Sequence, residues 1–104
     1  MIVNAVSGLP GAISPGEIVA IYGSGIGAAP VGLTLDVTGK TATNLGGTEV
    51  LINGVAAPLV FASEGEVKAI VPEEVGTVGT ATVQVNWKGL TTEVWGVAVA
   101  AGVR

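Results

Sequence analysis

Cysteine and histidine are both missing from this chain of 104 residues. The first absence removes disulfide frameworks, thiol nucleophiles and thiolate metal sites, and leaves the redox compartment open. The second removes the usual general base of nucleophilic triads, the commonest transition-metal ligand and the side chain that changes charge near neutral pH. Basic residues are scarce and scattered: Lys40, Lys68, Lys88 and Arg104 stand against eight acidic residues, for a net charge of −4. They build no phosphate-tracking patch, which argues against nucleic acid as a partner, and the same scatter argues against an anionic membrane surface. No stretch approaches ~18 uninterrupted apolar residues, so neither a transmembrane helix nor membrane insertion is expected. The opening MIVNAVSGLPG has no basic region and no long apolar run, and is not an intact signal peptide. Either export does not use that route or Met1 begins a piece of a longer chain. No window carries a sustained helical period with caps.

What the chain does have is apolar residues and glycine. Apolar residues make up 49%, charged ones only 12%, and glycine numbers 17. That balance disfavours disorder and suits a strand-rich, turn-rich domain partly covered by neighbours. The length suits one domain, residues 1–104, burying roughly 60 to 65% of its extended-chain surface without staples.

The organising stretch is Gly79 to Val99, GTATVQVNWKGLTTEVWGVAV. Ala81, Val83, Val85 and Trp87 alternate with Thr80, Thr82, Gln84 and Asn86, a period of two that predicts a strand with one core face. With Lys88-Gly89 as a two-residue loop, a plain hairpin sets Trp87 against Leu90, Val85 against Thr92, Val83 against Val94 and Ala81 against Gly96. Upstream, Met1 to Val6 reads as a first strand or arm, and Glu17 to Tyr22, behind the turn Ser14-Pro15-Gly16, as a strand. Three glycines and a proline in Gly23 to Pro30 stop it. Leu33 to Val37 is a candidate edge strand. Asn53-Gly54 between Thr48–Ile52 and Val55–Phe61 predicts a second hairpin, whose later arm must be an edge or change partners at Pro58, which lacks an amide donor. Glu66 to Val71 is a short strand and Pro72 to Val78 a loop. Seven or eight short strands spaced by turns give an all-β fold, a sandwich of two antiparallel sheets.

Three blocks carry a resemblance. Ser14 to Gly27, SPGEIVAIYGSGIG, resembles the opening of the IPT/TIG immunoglobulin-like domains, where a proline-glycine turn precedes a strand ending in a glycine-rich loop. Val50 to Leu59 and Phe61 to Pro72 are similar to one subgroup, the C-terminal domain of secreted acidobacterial (Solibacter-type) proteins of mostly unknown function. The likeness runs from about Asn4 to Val99. Glu64 stands where that pattern usually has proline and Lys68-Ala69 where it has Asn-Phe, so family contacts at that strand do not carry over. The resemblance implies an extracellular immunoglobulin-like module, appended to larger secreted or surface proteins, and brings no catalytic residues with it.

Candidate sites are few. Gly23 to Gly27 after a strand invites a dinucleotide-loop reading, but no helix opens behind it. Glu64, Glu66, Glu73 and Glu74 could converge on a cation if their loops meet; the alternative is solvated turns, since no calcium-loop spacing is present. No cofactor is expected. Trp95 allows two readings. In the plain register it faces Thr82 and lies diagonal to Gln84 on the polar face, an exposed indole placed to stack a sugar. A β-bulge at Gly96 would instead turn Trp95, Val97 and Val99 inward. Trp87 belongs to the core or its edge. Ser24, Ser63 and Tyr22 carry hydroxyls, yet no lysine is linked to them by a motif, so no enzyme is expected.

The expectation is therefore a structural, spacer or adhesive module of a secreted or cell-surface bacterial protein, whose partners are neighbouring domains or protein subunits. Two alternatives stay open: a carbohydrate-binding module using Trp95, Thr82 and Gln84, with glycans as partners, and a filament or shell subunit donating Met1 to Val6 as a strand.

Overall fold

The computed structural model describes residues 2–5, 8, 11–23, 31–32, 41–76 and 79–99. Among these, nine strands run in the order β1 (Ile2–Asn4), β2 (Ile18–Tyr22), β3 (Val31–Gly32), β4 (Thr48–Ile52), β5 (Val55–Ala56), β6 (Leu59–Ala62), β7 (Glu66–Ile70), β8 (Thr80–Trp87) and β9 (Leu90–Ala98), with a 3-10 turn at Glu73–Val75. They form a five-stranded sheet, β1-β2-β7-β6-β3, and a four-stranded sheet, β5-β4-β8-β9, with every strand pair antiparallel. The candidate strand Leu33 to Val37 and most of the Gly23 to Pro30 loop lie outside the described residues.

Alternation builds the core. Val50 and Ile52 of β4 and Ala81, Val83 and Val85 of β8 face Val19 and Ile21 of β2, Leu59 and Ala62 of β6, and Val67 and Ala69 of β7 in one buried apolar cluster. In β4, β7 and β8 these positions fall on a two-residue repeat, as a half-buried sheet requires, whereas in β6 a register shift between Leu59 and Phe61 sets the buried Leu59 and Ala62 three residues apart.

Three tight turns set the registers. Asn53 and Gly54 (φ 54° and 79°), and Lys88 and Gly89 (φ 53° and 82°), have positive φ at both central positions, the twist-matched form of a two-residue hairpin. Gly46 and Gly47 (φ 58° and 95°) do the same between Leu45 and Thr48, whose main chains exchange two hydrogen bonds. A Cβ on Gly47 would lie 2.9 Å from the Trp87 ring, so glycine there lets the half-buried indole lie over the turn.

The expected second arm, Val55 to Phe61, is two strands in two sheets. β5 pairs with β4, the amide of Ala57 donates to the Val50 carbonyl, and after Pro58 the chain continues as β6 against β7. Proline stands where the chain leaves one ladder for the other, so its missing donor costs no sheet bond.

The plain register of the β8–β9 hairpin is corrected. Trp87↔Leu90 and Asn86↔Thr91 pair as expected, but the register then shifts: Val85 faces Glu93, Val83 faces Trp95 and Ala81 faces Val97. The bulge thus falls at Thr92, beside the turn, and not at Gly96. One extra residue early in β9 moves Val97 and Val99 to the core side, where Val97 packs on the cluster and Val99 is buried, and leaves Val94, Gly96 and Ala98 exposed.

Glu17 is the other departure from a sequence reading. Its side chain is 1% exposed; Oε2 accepts a hydrogen bond from Asn4 Nδ2 (3.0 Å) and Oε1 accepts one from the Ser14 amide (3.0 Å). A buried carboxylate is tolerated only when so bonded. It ties β1 to the turn before β2, so residues 2–4, the middle of the Met1 to Val6 stretch considered for donation to another chain, are seated on their own sheet.

Candidate functional site

The four acidic residues considered for a cation do not converge. Glu64 lies in the β6–β7 turn and Glu66 opens β7, whereas Glu73 and Glu74 follow the far end of β7, about 13 Å of strand away at the usual rise. Among the described residues no three acidic side chains stand close enough to hold a metal ion. At the first end, Glu66 accepts a hydrogen bond from the exposed Tyr22 hydroxyl, and its carboxylate lies 3.9 Å from Lys68 Nζ. The hydrogen bond and the neighbouring negative charge raise the Tyr22 pKa above 10.0, which keeps the phenol protonated, the opposite of what a nucleophile needs. The Ser63 hydroxyl is engaged within its own turn, donating to the Glu66 carbonyl and accepting from the Glu66 amide. Ser24 lies outside the described residues.

The residues considered for a sugar site are separated by the bulge. Thr82 pairs with Gly96 and Gln84 with Val94, while Trp95 pairs with Val83. Directly paired positions share a face, so position 95 falls in the row of Val83 and not in that of Thr82 and Gln84. The Trp95 side chain itself lies outside the described residues. On the outer face, Gln84 Nε2 donates to Asn86 Oδ1 (2.9 Å) and Thr91 Oγ1 (3.1 Å), and the Thr91 hydroxyl donates to Asn86 Oδ1 (3.1 Å). Gln84 is thus held in a polar cluster.

Two features outside those expectations offer surface for contact. One is the side of β9 that faces away from β8, which Ile13 caps at the Ala98–Val99 end. Ile13 N donates to Ala98 O, whereas Val99 N donates to Gly79 O beside β8. Main-chain groups alternate sides along a strand, so those of Val94 and Gly96, in phase with Ala98, point away from β8. Val94 is 56% exposed and Leu90 73% exposed. The stretch Val94 to Ala98 has no charge and no proline, the devices that usually blunt a sheet edge.

The other is a groove of about 520 Å³ at the corner where Pro58 carries the chain between sheets. Val55, Pro58 and Pro72 line it together with Thr41 and Thr43, and the exposed Glu73 and Glu74 complete the lining. Val75, buried in the core, anchors the 3-10 turn, so the two glutamates ahead of it are held at the surface. The sequence marked the proline at this corner as a place where partners could change, but the groove itself exists only once β5 and β6 part into different sheets.

Two antiparallel sheets closed over one aliphatic core, in this strand order, make the molecule an immunoglobulin-like β-sandwich. The chain matches the IPT/TIG domain over residues 1–94 and belongs to that family. IPT/TIG domains are generally non-enzymatic structural modules that mediate protein–protein contacts. No curated protein and no solved structure matches the chain. Among the described residues no helix is long and apolar enough to cross a membrane.

Proposed function

We propose that this domain is a non-catalytic spacer or adhesive module of a secreted or cell-surface bacterial protein, and that it works by pressing its edges and end loops against neighbouring domains or subunits. The observation that carries the reading is the nine-residue β9 edge, whose outward main-chain groups at Val94 and Gly96 lie in an uncharged stretch. Outward main-chain groups in such a stretch are a template for another strand, and main-chain hydrogen bonds would then supply affinity. The low share of charged residues suits the same role, since it reduces the cost of covering the surface. The secreted, bacterial setting is supported by the likeness of Val50 to Leu59 and Phe61 to Pro72 to acidobacterial domains.

Sedimentation of the chain over a wide concentration range, alone and with its flanking domains, tests the reading. Association that weakens in Val94→Lys, which places a charge on the edge, is expected. A chain that stays monomeric throughout and binds no flanking domain would overturn it.

A further inference from the structure

Resting on the reading of the domain as a contact module, we propose that the groove beside Glu73 and Glu74 is a docking site for an extended segment of a partner protein that carries a lysine or arginine. Three properties of the corner select that occupant. The first is the backbone. Ala57 N donates to Val50 O, so Ala57 faces β4, and the alternating pattern turns the amide and carbonyl of Ala56 outward, at the edge of the sheet and on the wall of the groove. An extended chain can bridge to that residue as a strand does.

The second property is the apolar lining. Val55, Pro58 and Pro72 offer apolar surface and no aromatic ring, which suits the alkyl stem of a long basic side chain and gives a sugar ring nothing to stack on.

The third is charge. Glu73 and Glu74 are exposed, follow one another on a short anchored turn, and among the described residues their carboxylates make no ion pair or hydrogen bond. Two uncompensated carboxylates at the end of an apolar slot complement one cation on a flexible stem. A bare divalent ion is the poorer fit, because no third acidic side chain joins them among the described residues.

The test uses the whole chain, labelled with nitrogen-15, and a capped five-residue peptide of four valines around a central lysine, with norleucine and glutamate versions as controls. The lysine peptide is expected to shift the amide resonances of Ala56, Glu73 and Glu74, and to bind about fivefold or more tightly than the norleucine peptide. That preference should vanish in the double variant Glu73→Gln, Glu74→Gln, whose unchanged thermal midpoint would show that it still folds. Ala56→Pro, which removes the outward amide without removing a bond to β4, should weaken both the lysine and norleucine peptides. Absence of shifts at the groove, equal binding of lysine and norleucine peptides, or calcium chloride moving the same resonances without displacement by the lysine peptide would each overturn the proposal. Concentration-dependent association sensitive to Val94→Lys is scored separately, so a groove that fails and a module reading that fails give different results.

Discussion

Two hairpins in this molecule begin alike and end differently. At Asn53-Gly54 and at Lys88-Gly89 the chain reverses through the same pair of positive φ values. The first return strand, β5, lasts two residues before the chain crosses to the other sheet; the second, β9, runs for nine and stays. The turn therefore sets how a strand starts back, and the residues after it set where the strand goes. Pro58 ends one ladder, while an extra residue at Thr92 shifts the phase of the other and lets it continue. The consequence is a groove at one edge of the four-stranded sheet and a long edge strand at the other.

The largest effect should come from the crossing itself. Leu59, fully buried as the first residue of β6, anchors the chain in its second sheet. Leu59→Ala is expected to lower stability by about 2 to 5 kcal/mol in urea unfolding, whereas Val94→Ala on the edge strand should change it by less than about 0.5 kcal/mol. Equal losses would mean that the two return strands are held alike. Next in size is the glycine that supports β8. Gly47→Ala combines positive φ with a Cβ 2.9 Å from the Trp87 ring, and should cost about 2 kcal/mol, with a change in the tryptophan emission maximum.

The turns themselves should respond in opposite directions. Asn53 suits its left-handed backbone, and its Oδ1 accepts a hydrogen bond from the Thr82 amide (2.9 Å), so Asn53→Ala should cost about 1 to 2 kcal/mol. Lys88 has the same backbone without such a bond, and its ammonium lies 5.1 Å from the Trp87 ring centroid. Lys88→Asn should therefore be neutral or stabilising by up to about 1 kcal/mol, and a loss larger than that would show that the cation–π contact outweighs backbone strain. The smallest effect lies outside both hairpins, as a control. Ionised Glu66 accepts the Tyr22 hydrogen bond and raises that phenol's pKa above 10.0, so Glu66→Gln should lower the midpoint of the ultraviolet titration of Tyr22 back toward 10.0 and leave hairpin stability unchanged.

Much of the fold was legible because its signals are local. The alternation through Thr80 to Trp87, the two turn dipeptides and the missing amide at Pro58 each restrict the backbone whatever surrounds them. The site was less legible. Glu64, Glu66, Glu73 and Glu74 look like neighbours in sequence, yet β7 holds the two pairs at opposite ends. The pairing of position 95 depends on a bulge three residues earlier, and either placement of that bulge gives an acceptable strand pattern. Glu17, in an apolar run, gives no hint that Asn4 lies ready to bond it.

By itself the sequence determined the material: strands with one apolar face, turns where glycine or asparagine accepts positive φ, and too few basic and no histidine side chains for most chemistries. Tertiary structure decided which sheet each return strand joined, which residue was squeezed out of the ladder and which carboxylates became neighbours or were buried. Those choices rest on competition between distant apolar rows for the same interior, and a one-residue slip exchanges inside for outside along a whole strand.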